Sequence, residues 1–222
     1  MSKTASKFIL AAGLVLAMAL TFSCSLAKDD DGSVSTCSAE FRTVTIGTQI
    51  WMAENLNCDV KGSRCYNDDP ANCAKYGRLY DWSTTMAFSS NRNPLYNDPP
   101  IKTKHRGICP SGWHIPRYED WMELITTVSG EDAGAKLKTT SDWIAGGNGT
   151  DEFDFSALPG GGSYWGGSFE NVGLYGNWWS AHEDGGYGGY FQLKSNEEST
   201  GGIVDWHYDS KSYLFSVRCL QD

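Results

Sequence analysis

Polar and apolar residues first alternate at residues 42–52, "RTVTIGTQIWM", where Val44, Ile46 and Ile50 recur around Gly47. That pattern predicts a strand or hairpin with Gly47 in its turn. In "YGRLYDWSTTMAF" (76–88), Leu79, Trp82 and Met86 are spaced by three and four, which predicts a short helix or helix start. The turn formers of "SSNRNPLYNDPP" mark a loop. Trp121, Leu124, Ile125 and Val128 then fall at i, i+3, i+4 and i+7, one apolar stripe of an amphipathic helix. Glu119 and Asp120 sit in its first turn, where carboxylates favour the helix dipole. "SGEDAGAKLK" carries a second short helix through Ala133 and Leu137. Beyond residue 150 the chain is dense in glycine and aromatics, with alternating pieces such as Tyr190-Phe191-Gln192-Leu193, which predicts several short strands and long loops. "SYLFSVRCL" alternates as a closing strand. Terminal strands, two helices and a loop-rich second half together predict an α+β fold.

The first 24 residues have another pattern. Lys3 and Lys7 precede an uncharged apolar run from Phe8 to Phe22, the form of a secretory signal, and the run is too short for a bilayer span. Two cleavage sites compete. Ser23-Cys24 resembles a lipoprotein site, with lipidation at Cys24; Ser25-Leu26-Ala27 resembles an ordinary one, with cleavage before Lys28. Residues 25–40 then read as an acidic, solvated linker and 41–222 as one domain. The expectation is an exported protein of the cell envelope, held at a membrane only through a lipid anchor, or else released in soluble form.

Losing Lys3 and Lys7 with the leader takes the net charge from −9 to −11. Such a surface repels nucleic acid phosphates and anionic headgroups, so neither is expected as a partner. Six cysteines follow Cys24, namely Cys37, Cys58, Cys65, Cys73, Cys109 and Cys219. An even number in an exported chain reads as disulfides, although six allow fifteen pairings. A Cys65–Cys73 bridge would hold the polar segment "CYNDDPANC". A Cys109–Cys219 bridge would close a loop of about 110 residues, worth up to about 4–5 kcal/mol. Cys37–Cys58 would then pair by elimination.

Five segments carry a family resemblance: "VTIGTQIWMAENLN" (44–57), "CAKYGRLYDW" (73–82), "GICPSGWHIPRYEDWMEL" (107–124), "FDFSALPGG" (153–161) with "NWWSA" (177–181), and "SVRCL" (216–220). The chain resembles the Fibrobacter succinogenes major paralogous domain, a family of exported bacterial proteins without an established activity. The likeness runs over roughly residues 42–220. There are two departures. Arg117 stands where the family usually has a helix-capping Thr, and Asp154 where a glycine is common. The family in turn resembles C-type lectin-like folds, which implies two helices, a short irregular antiparallel sheet, long Gly- and aromatic-rich loops and a closing Cys109–Cys219 bridge. A fold likeness carries no function by itself.

Lectins that bind calcium resemble one another in an EPN or QPD tripeptide followed by WND, and this chain has none of these. Asn148, Asp151, Glu152 and Asp154 of "NGTDEFD" could offer oxygen donors to calcium, and such runs are more often solvated loops. No cofactor is expected. Glu119, Asp120 and Glu123 lie on one helix face as ordinary solvated acids, and His114, His182 and His207 lie far apart in sequence. With every cysteine after Cys24 assigned to a bridge and no GxSxG, an enzyme is not expected. Trp51, Trp82, Trp113, Trp121 and Trp143 adjoin apolar periodicity and read as core. Tyr164, Trp165, Tyr175 and Trp206 lie in the Gly-rich half, where loops expose aromatic faces that stack on pyranose rings, and these four are the candidate ligand-binding residues. The reading is a binding module that recognises polysaccharide or an envelope protein through residues 160–210. The alternative is a structural or adhesive envelope component.

Overall fold

The computed structural model describes residues 41–88, 100–128, 132–195 and 204–222, together with the backbone of two paired strands, β1 (Leu26–Ala27) and β2 (Thr36–Cys37). The leader, Cys24 and the side chain of Cys37 lie outside the described residues.

The expected hairpin is present. β3 (Thr43–Ile46) pairs antiparallel with β4 (Gln49–Met52) across Gly47. It belongs to a four-stranded sheet of order β3-β4-β11-β5, with β5 at Trp113–His114 and β11 at Leu220–Gln221. Leu220 faces Trp51 on one side and His114 on the other. A second sheet, of order β10-β9-β8, holds the long strands β8 (Tyr175–Asp184), β9 (Tyr187–Lys194) and β10 (Val204–Ser210). β6 (Gly162–Ser163) and β7 (Phe169–Glu170) form a small hairpin.

The α+β, lectin-like expectation is overturned, because the described chain is mostly β. Its helices are short: α1 (Pro70–Tyr76), α2 (Trp82–Thr85), α3 (Tyr118–Thr127) and α4 (Ala133–Leu137). The predicted helix over 76–88 shrinks to four residues, since Leu79 pairs with Arg64 and Tyr80 with Phe215 in isolated bridges. α4 stops after five residues, where Lys138 turns extended and pairs with Ala157. In the Gly-rich half the predicted short strands are long ones. β8 is buried from Gly176 through Ala181, so its sequence shows no polar alternation.

That burial follows from two cores on opposite sides of the second sheet. Trp178, Phe191 and Trp206 form one cross-strand row, and Trp179, Tyr190 and His207 the next. Successive residues point to opposite faces, so the rows face opposite ways. The first row packs with α3 and the four-stranded sheet: Trp121 stacks on Phe191 at 4.4 Å and lies 4.7 Å from Trp51. The second packs on Phe215, Trp82 and Met52. Gly188 and Gly189 serve these opposite faces. A Cβ on Gly188 would meet the Trp82 ring at 2.6 Å, and one on Gly189 the Trp206 ring at 2.7 Å. Glycine there lets both indoles lie against the β9 backbone.

Residues 213–220 run between the two cores. Phe215, Val217 and Cys219 enter one, while Arg218 and Leu220 turn to the other. The segment is therefore buried on both sides rather than forming a simple alternating strand. The fully buried Arg218 lies between Phe155 and Trp178 and bonds Asn55 Oδ1 and the carbonyl oxygens of Phe155 and Ser156. Burial pulls its pKa down to about 9, which still leaves a cation at neutral pH. The structure contains the Cys65–Cys73 and Cys109–Cys219 disulfides, with Cα atoms 4.9 and 6.0 Å apart. Cys58 is also disulfide-bonded, and the sulfur of Cys37, the expected partner, lies outside the described residues.

Candidate ligand-binding surface

Three surface features combine chemistry with exposure. The first is the β6–β7 hairpin. Its tip holds Trp165 between Tyr164 and two glycines, Gly166 and Gly167, with φ of +71° and +81°. Those left-handed values close the turn in a way residues with a Cβ resist. They leave the Trp165 indole 78% exposed. The indole is not loose. Its ring lies edge-on to Tyr213 at 5.9 Å, and Tyr213 meets Tyr164 at 5.2 Å.

Beneath the tip lies a polar relay. Gln192 Nε2 donates to Asn177 Oδ1 at 2.7 Å, and Asn177 Nδ2 donates to the Tyr164 hydroxyl at 3.2 Å. Burial pushes the Tyr164 and Tyr190 hydroxyls up from their ordinary pKa, and Asp209 adds to the shift at both, so each stays a neutral phenol. Glu170 and Asp209 border this surface, and the His207 ring lies against Tyr190 at 5.4 Å. The result is an exposed indole beside neutral hydroxyls, amides and two carboxylates.

The second feature lies on the opposite face of the sheet. Trp206 meets Tyr118, the first residue of α3, edge-on at 5.0 Å. Tyr208 and His182 complete the cluster at 5.8 and 5.9 Å from Trp206.

The third is a groove of about 380 Å³ around His114, Arg117, Glu123 and Asp222. His114 is buried, with Nδ1 at 2.8 Å from Asp222 Oδ1 and Nε2 at 3.6 Å from Asp120 Oδ2. Both ring nitrogens therefore face carboxylates, and the nearby Thr48 hydroxyl donates to Glu123. This ties β5 and residue 222 to α3. Arg117 offers no side-chain acceptor to the first N–H groups of α3, and the half of a capping box that remains is Asp120, whose Oδ2 accepts the Arg117 N–H at 2.8 Å. Burial alone would raise the Asp120 carboxyl, but His114 and that N–H outweigh it and hold its pKa below the usual range.

Of the four candidate residues, the structure brings Tyr164 and Trp165 together and sets Trp206 on the other face. Tyr175 is half-buried at the start of β8, sharing a face with Asn177 by alternation. Sequence reasoning missed Tyr213, Asn177 and Gln192. The period-two spacing of Tyr175, Asn177 and Trp179 was the signal that could have found Asn177. Three of the four side chains offered by the 148–154 run are engaged locally. Asn148 Oδ1 accepts the Trp143 N–H, both Asp151 oxygens bond Ser156, and Glu152 pairs with Lys136. Among the described residues no group of three His, Cys, Asp or Glu side chains is placed to hold a metal, and no helix is long and apolar enough to cross a membrane.

A disulfide-bonded, mostly β domain with exposed aromatic surfaces is thus the class of protein in hand. The Fibrobacter succinogenes major domain model matches residues 44–221, and the chain belongs to that family. No curated protein and no solved structure matches it, so the lectin-like likeness gains no neighbour to support it.

Proposed function

We propose that the domain is a non-enzymatic binding module of the cell envelope, exported by its apolar leader and anchored through Cys24. In this reading it recognises a neutral polysaccharide through Trp165, Tyr164 and Tyr213. The observation that carries it is the Trp165 indole, exposed at a fixed hairpin tip and buttressed by a second ring. An indole face presented to water at a fixed position is a ready stacking surface for an apolar ligand face. Pyranose rings offer apolar C–H faces for the indole and hydroxyls for the tyrosines, Glu170 and Asp209. The net charge of −9 favours uncharged glycans over polyanionic ones.

The test is retention of the oxidised protein on insoluble cellulose, arabinoxylan, mannan and chitin, with pectate as the anionic control and EDTA present. Trp165→Ala should weaken retention on the preferred neutral polymer about tenfold, the equivalent of about 1.4 kcal/mol, while leaving the unfolding midpoint unchanged. Equal retention of Trp165→Ala and wild type would sink this reading. Loss of binding in EDTA would sink its metal-free form.

A further inference from the structure

We infer that the Tyr190 hydroxyl, with Asp209 beside it, reads sugar hydroxyls on the Trp165 surface, so that Tyr190 sets which neutral polysaccharide is held while Trp165 supplies the stacking. This rests on the reading of Trp165 above and names the specificity-determining contact of that same site.

Strand register puts Tyr190 in the middle of a polar face. On the side of the second sheet that meets Phe215, three rows follow one another: Asn177, Gln192 and Asp205; Trp179, Tyr190 and His207; then Gly188 and Asp209. Tyr190 thus lies between the amide relay that reaches Tyr164 and the Asp209 carboxylate. Its ring is held by Phe215 at 4.7 Å, His207 at 5.4 Å and Trp179 at 5.9 Å. Phe215 also meets Tyr164 and Tyr213, at 5.7 and 6.2 Å, and Tyr213 supports the Trp165 indole. One shared ring therefore ties the Tyr190 phenol to the hairpin tip.

Packing accounts for the ring of Tyr190 and not for its oxygen. The residue is only 6% exposed, yet its hydroxyl makes no hydrogen bond to any described residue. It is not among the enclosed side-chain atoms that lack a partner either, so it opens to the surface. After burial, the influences that raise its pKa come from Asp209, Tyr164, Tyr213 and Asp205, which sets the hydroxyl amid the groups that border the Trp165 surface. Phenylalanine would fill the same core space. Asp209 has capacity to spare as well. Its Oδ1 accepts the Ser210 N–H at 2.8 Å, no described cation pairs with it, and the nearby Lys211 is engaged by Glu183.

These two groups select the occupant. A neutral phenol has a proton to give, and a carboxylate can only accept. Sugar hydroxyls do both, accepting from Tyr190 and donating to Asp209. A carboxylate or phosphate on the ligand would have nothing to donate to Asp209 and would meet its charge, and an ammonium would leave the phenol proton without an acceptor. A site built to bond a hydroxyl rejects sugars that do not place one there, because its own polar groups are then left unpaired.

The experiment compares Tyr190→Phe, Asp209→Asn and Trp165→Ala with wild type on cellulose, arabinoxylan, mannan and chitin, with unfolding midpoints measured alongside. Tyr190→Phe removes one oxygen and keeps the ring; Asp209→Asn keeps the acceptor for Ser210. Trp165→Ala should lower retention by a similar factor on every polymer that is held and preserve their order. Tyr190→Phe should lower retention about tenfold on the preferred polymer and little on the others, so that the preference flattens at an unchanged midpoint. Asp209→Asn should move the same way by a smaller factor. Unchanged retention and preference in Tyr190→Phe, with Trp165→Ala weakened, would overturn the role of Tyr190 and leave the Trp165 reading intact. A uniform fall across the panel, or one that follows a lowered midpoint, would make Tyr190 a packing residue and overturn its role too. Preference lost in Tyr190→Phe while Trp165→Ala changes nothing would overturn the stacking and keep the Tyr190 contact. Failure of wild type on every polymer would overturn both.

Discussion

Asn55 is the residue on which the buried cation depends, and its replacement gives a sharp stability test. Its Oδ1 accepts from Trp178 Nε1 at 2.8 Å and from Arg218 at 2.8 and 3.2 Å. Its Nδ2 donates to the Tyr76 carbonyl at 2.9 Å. Asn55→Leu keeps the approximate volume and removes all of these bonds. Two bonds to a charged group, one of them long, contribute about 1.5 kcal/mol each, and the indole bond about 1 kcal/mol. The sum, about 4 kcal/mol, lies within the range of about 3–5 kcal/mol for breaking a buried ionic contact by removing one partner. Asn55→Asp keeps the acceptor and brings a negative charge to Arg218, but loses the donor to Tyr76; it should cost only about 1–2 kcal/mol. The assay is urea unfolding of the oxidised protein followed by tryptophan fluorescence. A domain of ordinary stability, about 5–15 kcal/mol, leaves room to see both effects. Asn55→Leu within about 1 kcal/mol of wild type, or an Asp variant no better than the Leu variant, would refute this account of how Arg218 is held.

Other outcomes follow from the same structure. Cys109→Ser/Cys219→Ser opens a loop with a sequence separation of 110, and should cost about 4–5 kcal/mol in the chain-entropy account, against about 2–3 kcal/mol for Cys65→Ser/Cys73→Ser with its separation of 8. Equal losses in thermal or urea unfolding would show that loop length does not govern the difference. Asp120→Ala should destabilise by about 1 kcal/mol at pH 7, the usual worth of a helix cap. The Asp120 carboxyl is held low in the folded state, so its contribution is present above the unfolded value near pH 4 and disappears as pH falls through the lower folded value. The gap between wild type and Asp120→Ala should therefore narrow as pH falls past the unfolded value of about 4 and close beneath the lower folded value. A gap constant from pH 7 down to that point would contradict the role given to His114 and the Arg117 N–H.

How far the chain could be read in advance depended on where each element is wet. The β3–β4 hairpin and α3 each keep one face towards water, so their periods stand out in the sequence. β8 and β9 lie between two cores, and residues 213–220 between the same two, so their inward positions leave little polar contrast to read. Trp178 and Trp179 are neighbours in a glycine-rich run, and both are fully buried, on opposite sides of the sheet. The exposure of Trp165 was legible from its glycine neighbours. The assignment of Trp165 and Trp206 to different faces was not, because it depends on strand register, and register is set by pairings far along the chain.

The place of β11 in its sheet bears on when the chain can fold at all. Leu220 is wedged between Trp51 and His114, so the four-stranded sheet lacks an inner strand until residue 220 is free to enter. A polypeptide emerging from the ribosome would thus hold β4 and β5 unjoined through most of its synthesis. Such late closure makes folding slow and dominated by distant contacts, with the whole four-stranded sheet waiting on its last-made strand.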